Sequence, residues 1–391
     1  MTTVCTGRRV PSRAMTQGAL DGLLVADFSR VLAGPLCTQT LGDLGADVVK
    51  VERPGAGDDT RTWGPPFVEQ GATYYLGLNR NKRSIALDLA DPDDARLARR
   101  LADRADVVVE SFRPGTIERL GLGYDAVSQA NPRVVYCSIS AFGSGEQAAR
   151  LPGYDLLLQA MSGLMSVTGE PEGRPLKVGA ALIDMICGLY ATTGVLAALQ
   201  ARERTGRGQR VEVSLMDSAL AGLLNQASAH LMAGVVPGRL GNRHPSIAPY
   251  ETFRAADGDF AVAVGNDAIF KRLCALIGRP ELGHDERFAT NAARLENREE
   301  LGAILEGSFH REPAAEWVQR LSAAGVPAGP INDIGEAFAF AAALGLDPVW
   351  EVDGVRGVRS PVKLSETPAA ARRRPPALSE HDGELRAWLD G

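Results

Sequence analysis

Over its first 140 residues the chain alternates short apolar runs with helical stretches, and that alternation admits few folds. Leu23-Leu24-Val25-Ala26 is a continuous apolar run, and a loop at residues 28–34 follows it. Pro35 stands where a first helical turn tolerates proline, Leu36, Leu41 and Leu44 keep helical spacing, and Gly45 supplies a stop. Asp47-Val48-Val49-Lys50-Val51 then completes a βαβ unit. A second strand–helix–strand set occupies 84–89, 92–104 and 106–109, and helical segments near Thr116 and Tyr124 lead to a strand at 134–139. Strands that alternate with helices need crossover connections and pair in parallel, with helices on both faces. The expected fold class is α/β, a doubly wound, Rossmann-like parallel sheet.

The pattern changes after about residue 240. Residues 250–254 and 260–264, joined by Ala256-Asp257-Gly258, read as a β-hairpin. Helical patterns follow near 267–277, 297–309 and 313–324, and Pro327, Gly329 and Pro330 mark an exit. The division expected is a flexible tail at 1–20, a large domain at 21–225, a small α+β domain at 226–330 and a C-terminal segment at 331–391 with strands near 349–352 and 358–362.

Composition narrows the function. Lys and Arg number 42 against 48 Asp and Glu, a net charge of −6 with no basic block, which speaks against nucleic acid as a partner. The five cysteines, Cys5, Cys37, Cys137, Cys187 and Cys274, form no CxxC. They read as reduced core thiols of a cytoplasmic protein, with no metal site. Two uncharged runs, 185–201 and 218–238, call for a membrane check. The second carries Asn225, Gln226, Ser228 and His230 near its centre, groups that are costly in lipid, and both are read as buried helices. Arg8, Arg9 and Arg13 without an acid suit a transit peptide, but a frayed tail, or a true start at Met15, is the simpler reading.

No nucleotide fingerprint accompanies the sheet. Gly121-Leu122-Gly123-Tyr124-Asp125-Ala126 approximates GxGxxG but follows a helical pattern, where the motif cannot bring backbone N–H groups to a pyrophosphate. In such sheets a ligand still lies beyond the carboxyl ends of the strands. The loops there carry Arg30, Arg53, Arg61 and Arg113, with Arg119 just beyond, a clustering that suits phosphate. Asp184 stands alone in the apolar run 178–188. It reads as the N-cap of a helix reaching about Arg202, or as a nucleophile, and one residue can serve as both. Gly179 and Gly188 would let a substrate approach.

Several long strings then resemble one family. They are Asp27-Phe28-Ser29-Arg30-Val31-Leu32-Ala33-Gly34-Pro35, Leu41-Gly42-Asp43-Leu44-Gly45-Ala46-Asp47, Asn81-Lys82-Arg83, Glu110-Ser111-Phe112-Arg113-Pro114-Gly115 and Thr205-Gly206-Arg207-Gly208-Gln209. From about 21 to 370 the chain is similar to the class III CoA-transferases, the CaiB/BaiF family. The resemblance implies an interlocked homodimer whose large domain is built from both ends of the chain. It implies acyl-CoA and carboxylic acid substrates, and no cofactor besides CoA itself. It puts the catalytic aspartate at Asp184 and the CoA contacts at Val31, Ala33, Arg53, Leu87, Phe112 and Arg119.

Three departures set the chain apart from the formyl-CoA transferases of that family. Leu32 replaces a glutamine, Pro152 replaces a lysine, and a glycine-rich lid is reduced to Gly265-Asn266-Asp267. They argue against formyl-CoA and oxalate as the natural pair. The sibling 2-methylacyl-CoA racemases use histidine in a Gly-His-Asp triplet. Here it is Gly153-Tyr154-Asp155, and tyrosine is a poor base at neutral pH. Tyr154 and Gly265 are then expected in the acyl pocket, with a packed core tyrosine the alternative for Tyr154. Strings at 53–67, 244–250 and 325–332 look most like the succinyl-CoA:glutarate members. The expected reaction moves CoA from succinyl-CoA to a dicarboxylate through aspartyl anhydride and aspartyl-CoA thioester intermediates, with backbone N–H groups near Asp184 holding the oxyanions. A racemase, or an inert CoA-binding protein, is the alternative.

Overall fold

The computed structural model describes residues 18–391, so most of the 1–20 tail, Cys5 and the three N-terminal arginines lie outside the described residues. Two compact units are present. One comprises residues up to 164, 178–235 and 347–391; the other comprises 165–177 and 236–346. The middle unit thus begins at 236 and ends at 346, where composition places 226 and 330, and it also takes in 165–177.

The first unit is built on six strands. In chain order its elements are β1 (Leu24–Phe28), α1 (Ala33–Asp43), β2 (Asp47–Glu52), α2 (Thr73–Leu78), β3 (Lys82–Ala86), α3 (Pro92–Arg104), β4 (Val107–Glu110), α4 (Thr116–Arg119), α5 (Tyr124–Ala130), β5 (Val135–Ser140), α6 (Asp155–Met161), α7 (Leu182–Thr205), β6 (Arg210–Ser214), α8 (Leu215–Gly222) and α9 (Leu224–Ala233). All six strands are parallel, in the order β3-β2-β1-β4-β5-β6. The sheet is doubly wound, as its sequence pattern predicts. One face buries Leu97, Leu101, Val127 and Leu385, from α3, α5 and the C-terminal helix Asp382–Asp390. The other buries Leu41, Ile183, Ala191 and Val195, from α1 and α7. The inner strands β2 and β4 therefore meet apolar surface on both sides, which is why they read as near-continuous valine runs.

Helix α7 alone among the described helices is long and apolar enough to cross a membrane. Its buried residues pack into the second core, against α1 and the sheet. Gly188 serves that packing rather than a substrate. A Cβ there would stand 2.7 Å from the Ala33 carbonyl oxygen and 3.2 Å from Leu36. Gly188→Ala is accordingly expected to cost about 1–3 kcal/mol by overpacking, read as a fall in the urea midpoint. The other uncharged run departs from expectation. It splits at Leu223–Leu224 into α8 and α9, and α9 buries none of its residues. Cys37, Cys137, Cys187 and Cys274 are free and buried.

The second unit contains the expected hairpin, β7 (Tyr250–Arg254) with β8 (Asp259–Ala263), extended by β9 (Ala328–Pro330). Phe253, Phe260, Phe309 and Trp317 form its core with edge-to-face and tilted ring contacts.

Candidate active site

In the strand order, chain connections leave β1 toward β2 on one side and β4 toward β5 on the other. Their following loops therefore diverge and open a crevice at the carboxyl edge. Buried charge fixes those loops. Asp27, the fourth residue of β1, is fully buried and accepts from Lys82 Nζ at 3.0 Å, Ser29 N at 3.0 Å and Thr38 Oγ1 at 2.7 Å. Burial pushes its carboxyl up, but Lys82, Lys50 and the two hydroxyls outweigh that and hold it at about 2. Lys50 is equally buried, donates to the Ser29 carbonyl at 2.9 Å and pairs with Asp58 at 2.9 Å. Asp58 in turn accepts from Thr60 N and Val31 N, at 3.0 and 3.3 Å. One ion network thus ties the loop after β1 to the loop after β2. It also holds Val31 at φ 70°, a left-handed conformation that costs a β-branched residue energy.

Two cavities flank these loops. The first, about 730 Å³ including its open mouth, is lined by Arg30, Lys50, Arg53, Leu87, Phe112 and Leu120 among others. The second, about 1000 Å³ on the same measure, is lined by Arg30, Val31, Leu32, Ala33, Phe112, Arg113, Tyr154 and Asp184 among others. Arg30 and Phe112 line both, with the guanidinium 5.6 Å from the ring centroid. The structure thus brings Val31, Ala33, Tyr154 and Asp184 to one cavity and Arg53, Leu87 and Phe112 to its neighbour. Tyr154 is 60% exposed, which overturns the packed-core alternative.

Other candidates fall elsewhere. Arg119 bonds Thr116 Oγ1 at 3.1 Å and lines neither cavity. Arg61 is committed to the framework. It forks onto Glu52 at 2.8 and 2.7 Å and donates to the Tyr75 hydroxyl and the Pro376 carbonyl. Gly265 belongs to the second unit, between β8 and α10 (Asp267–Leu276). Arg53 and Arg30 both face Asp59, at 2.6 and 3.6 Å.

Asp184 is the third residue of α7 and is half-buried. It does not cap the helix, as one reading of the sequence had it. Burial first, and the charge of Asp155 second, push its carboxyl up to about 7, a range in which a carboxylate is an effective nucleophile. The N–H groups of Ile183 and Asp184 are not free for an oxyanion. Both donate to Asp155 Oδ1, at 2.8 and 3.1 Å, which corrects the expectation that they would hold one. The sequence pattern assigns no role to Asp58 or Asp155. The signal for the network was present, in Lys50 and Lys82 set within strands buried on both faces.

Glu110 ends β4 at 5% exposure and accepts the Phe112 N–H at 2.9 Å. Burial pushes its carboxyl up to about 7. The folded state then keeps a proton that the unfolded chain gives up, so stability falls as pH rises from the ordinary carboxyl range through about 7. Glu110→Gln is expected to raise stability at pH 8 by roughly 1–3 kcal/mol and to change little at pH 4, read by thermal melts at both values.

Asp184 thus presents a half-buried, raised carboxylate at a crevice of a parallel α/β sheet. Residues 20–382 match the model of CoA-transferase family III, and the chain belongs to that family. It is a family III CoA-transferase. It is 42% identical to a succinate–glutarate CoA-transferase of Agrobacterium fabrum, covering 95% of this chain and 96% of that one. An acetyl-CoA:oxalate CoA-transferase of Acetobacter aceti is also 42% identical, with the same coverage. The crystal structure of a CaiB/BaiF family protein from Brucella suis superposes with a TM-score of 0.86 at 44% identity, over 96% of this chain and all of that one.

Proposed function

We propose that the protein moves CoA from succinyl-CoA to a dicarboxylate acceptor, with Asp184 as the covalent carrier. An Asp184 carboxylate oxygen attacks the thioester carbonyl and the C–S bond breaks, leaving a mixed anhydride and CoA thiolate. The thiolate attacks the Asp184 acyl carbon and expels succinate, so that CoA is held as an aspartyl thioester. The acceptor carboxylate attacks that thioester and releases the thiolate, which then takes the acceptor's acyl group and frees Asp184. The observation that carries this reading is the placement of Asp184, raised to about 7, in one cavity with Val31, Ala33 and Tyr154. The adjoining cavity, with Arg53, Leu87 and Phe112, is assigned to the nucleotide end of CoA.

The dicarboxylate assignment draws support from the named relatives, since succinate, glutarate and oxalate are all dicarboxylates. It is tested by mass spectrometry of acyl-CoA products formed from succinyl-CoA and a panel of acids. Transfer to short dicarboxylates in preference to matched monocarboxylates is expected. CoA binding without transfer to any acid, or deuterium wash-in at the α-carbon of a 2-methylacyl-CoA, would replace the reading with an inert binder or a racemase.

A second copy of the chain is proposed to cover the apolar surface left open. Met232 on α9 is 86% exposed and Leu231 81%, apolar side chains that a covering partner would take out of water. Light scattering should return twice the 41.5 kDa of one chain.

A further inference from the structure

The helix that carries Asp184 begins without a cap of its own, because Ala181 before it offers no side-chain acceptor. The acceptor comes from α6, where Asp155 Oδ1 takes the N–H groups of Ile183 and Asp184. The other oxygen, Oδ2, is held by Gln159 Nε2, one turn on, at 2.5 Å. Gln159 is fully buried and grips the chain before α7 in both directions. Its Nε2 also donates to the Ala180 carbonyl at 3.3 Å, and its Oε1 accepts the Val178 N–H at 2.8 Å. Together the two side chains lace residues 178–184 to α6.

This lacing has a chemical consequence. A carboxylate in the first turn of a helix is ordinarily stabilised by the unpaired N–H groups and by the positive end of the dipole, which makes it a weaker nucleophile. In α7 those donors serve Asp155 instead, and a second anion stands beside the first. Resting on the reading of Asp184 as nucleophile, we propose that Asp155 is its positioning residue. Asp155 withholds the donors of α7 from Asp184 and, through its charge, favours the states in which Asp184 is uncharged, the anhydride and the thioester. Acylation removes the Asp184 charge and with it the repulsion; release of the acyl group restores both.

Among the described residues, other titratable groups stand near Asp184. Besides Asp155 from α6, Tyr74 from α2 is raised by burial first and then by Asp184 and Asp155. Cys187, one turn on along α7, is a buried thiol pushed up to about 12 and so uncharged. Arg30, Asp59, Arg113 and Tyr154 line the same cavity from its loops.

The test is the pH dependence of transfer, read beside the amount of trapped aspartyl-CoA thioester. In the wild-type enzyme the acid limb of kcat is expected at about 7. Asp155→Asn should move it down by about one unit. At fixed acyl-CoA and acid it should also lower the trapped thioester about tenfold, since one unit of pKa is a tenfold equilibrium and both events neutralise the same carboxylate. Asp155→Ser, which sets no second amide against Gln159, should act in the same sense. Gln159→Leu keeps the charge and loses only the bracing, so kcat should fall while the limb stays in place. A wild-type limb in the ordinary carboxylate range near ~4 overturns the proposal, and so does a limb that stays near ~7 in either folded Asp155 variant. Absence of any Asp184 thioester in the wild type would instead sink the nucleophile reading, so the two failures are distinguishable.

Discussion

Asp184→Asn is expected to yield a folded protein that binds CoA and transfers none of it, with kcat lowered on the order of 10⁴-fold or more. Asparagine matches the carboxylate in size, but its amide cannot form the anhydride. The stability of the variant separates this role from a structural one. Asp184 is held uncomfortably in the wild type, raised to about 7 by burial and by Asp155. A carboxyl raised on folding contributes stability that is present at low pH and lost as pH rises through the folded value. The neutral asparagine should therefore make the protein more stable at pH 8 and no more stable at pH 4. Thermal melts and steady-state kinetics on one preparation check both halves. An asparagine variant that is less stable at pH 8 and only modestly slower would mark Asp184 as a packing residue.

The second large effect falls on the framework. Lys82→Met should destabilise the protein by roughly 3–5 kcal/mol, because it leaves Asp27 buried without its partner on β3. Lys82 is fully buried; burial pulls its ammonium down, Asp27 pulls it back up, and it settles at about 8. Its Nζ also bonds the Pro35 carbonyl and Asn79 Oδ1, each at 3.0 Å. The double variant Asp27→Asn with Lys82→Met removes both charges and should recover part of the loss. Equilibrium unfolding in urea of the two singles and the double measures the coupling. Strict additivity would show that the pair contributes through packing alone.

These two residues also show what could be read in the sequence. The alternation of apolar runs and helical stretches was enough for the sheet, since strands buried on both faces write themselves as valine runs. β6 is harder to read because in this edge strand the exposed Arg210 and Glu212 alternate with Val211 and Val213, so it lacks the continuous apolar run of the inner strands. The motifs that carry the family resemblance were legible as words, but their work was not. Gly208 is there because the Val134 carbonyl passes so close that a Cβ would sit 1.9 Å from it. Asp43 is held by Arg80 and by Asn81, which adopts φ 64°. Such positions are constrained by contacts distant in sequence, which no local pattern encodes. Asp184 was visible because a lone acid in an apolar run is costly. Asp155 was not, because an exposed-looking acid beside Tyr154 reveals its role only when α6 and α7 are brought together.

The decisive measurement is peptide mass spectrometry of the enzyme quenched with succinyl-CoA and digested with trypsin. CoA should be found in thioester linkage on Asp184, in the peptide 178–202, and hydroxylamine should convert that residue to its hydroxamate while acceptor acid discharges it. Steady transfer of CoA between acids with peptide 178–202 unmodified throughout, or with the adduct on another side chain, would contradict the assignment of Asp184 as the carrier.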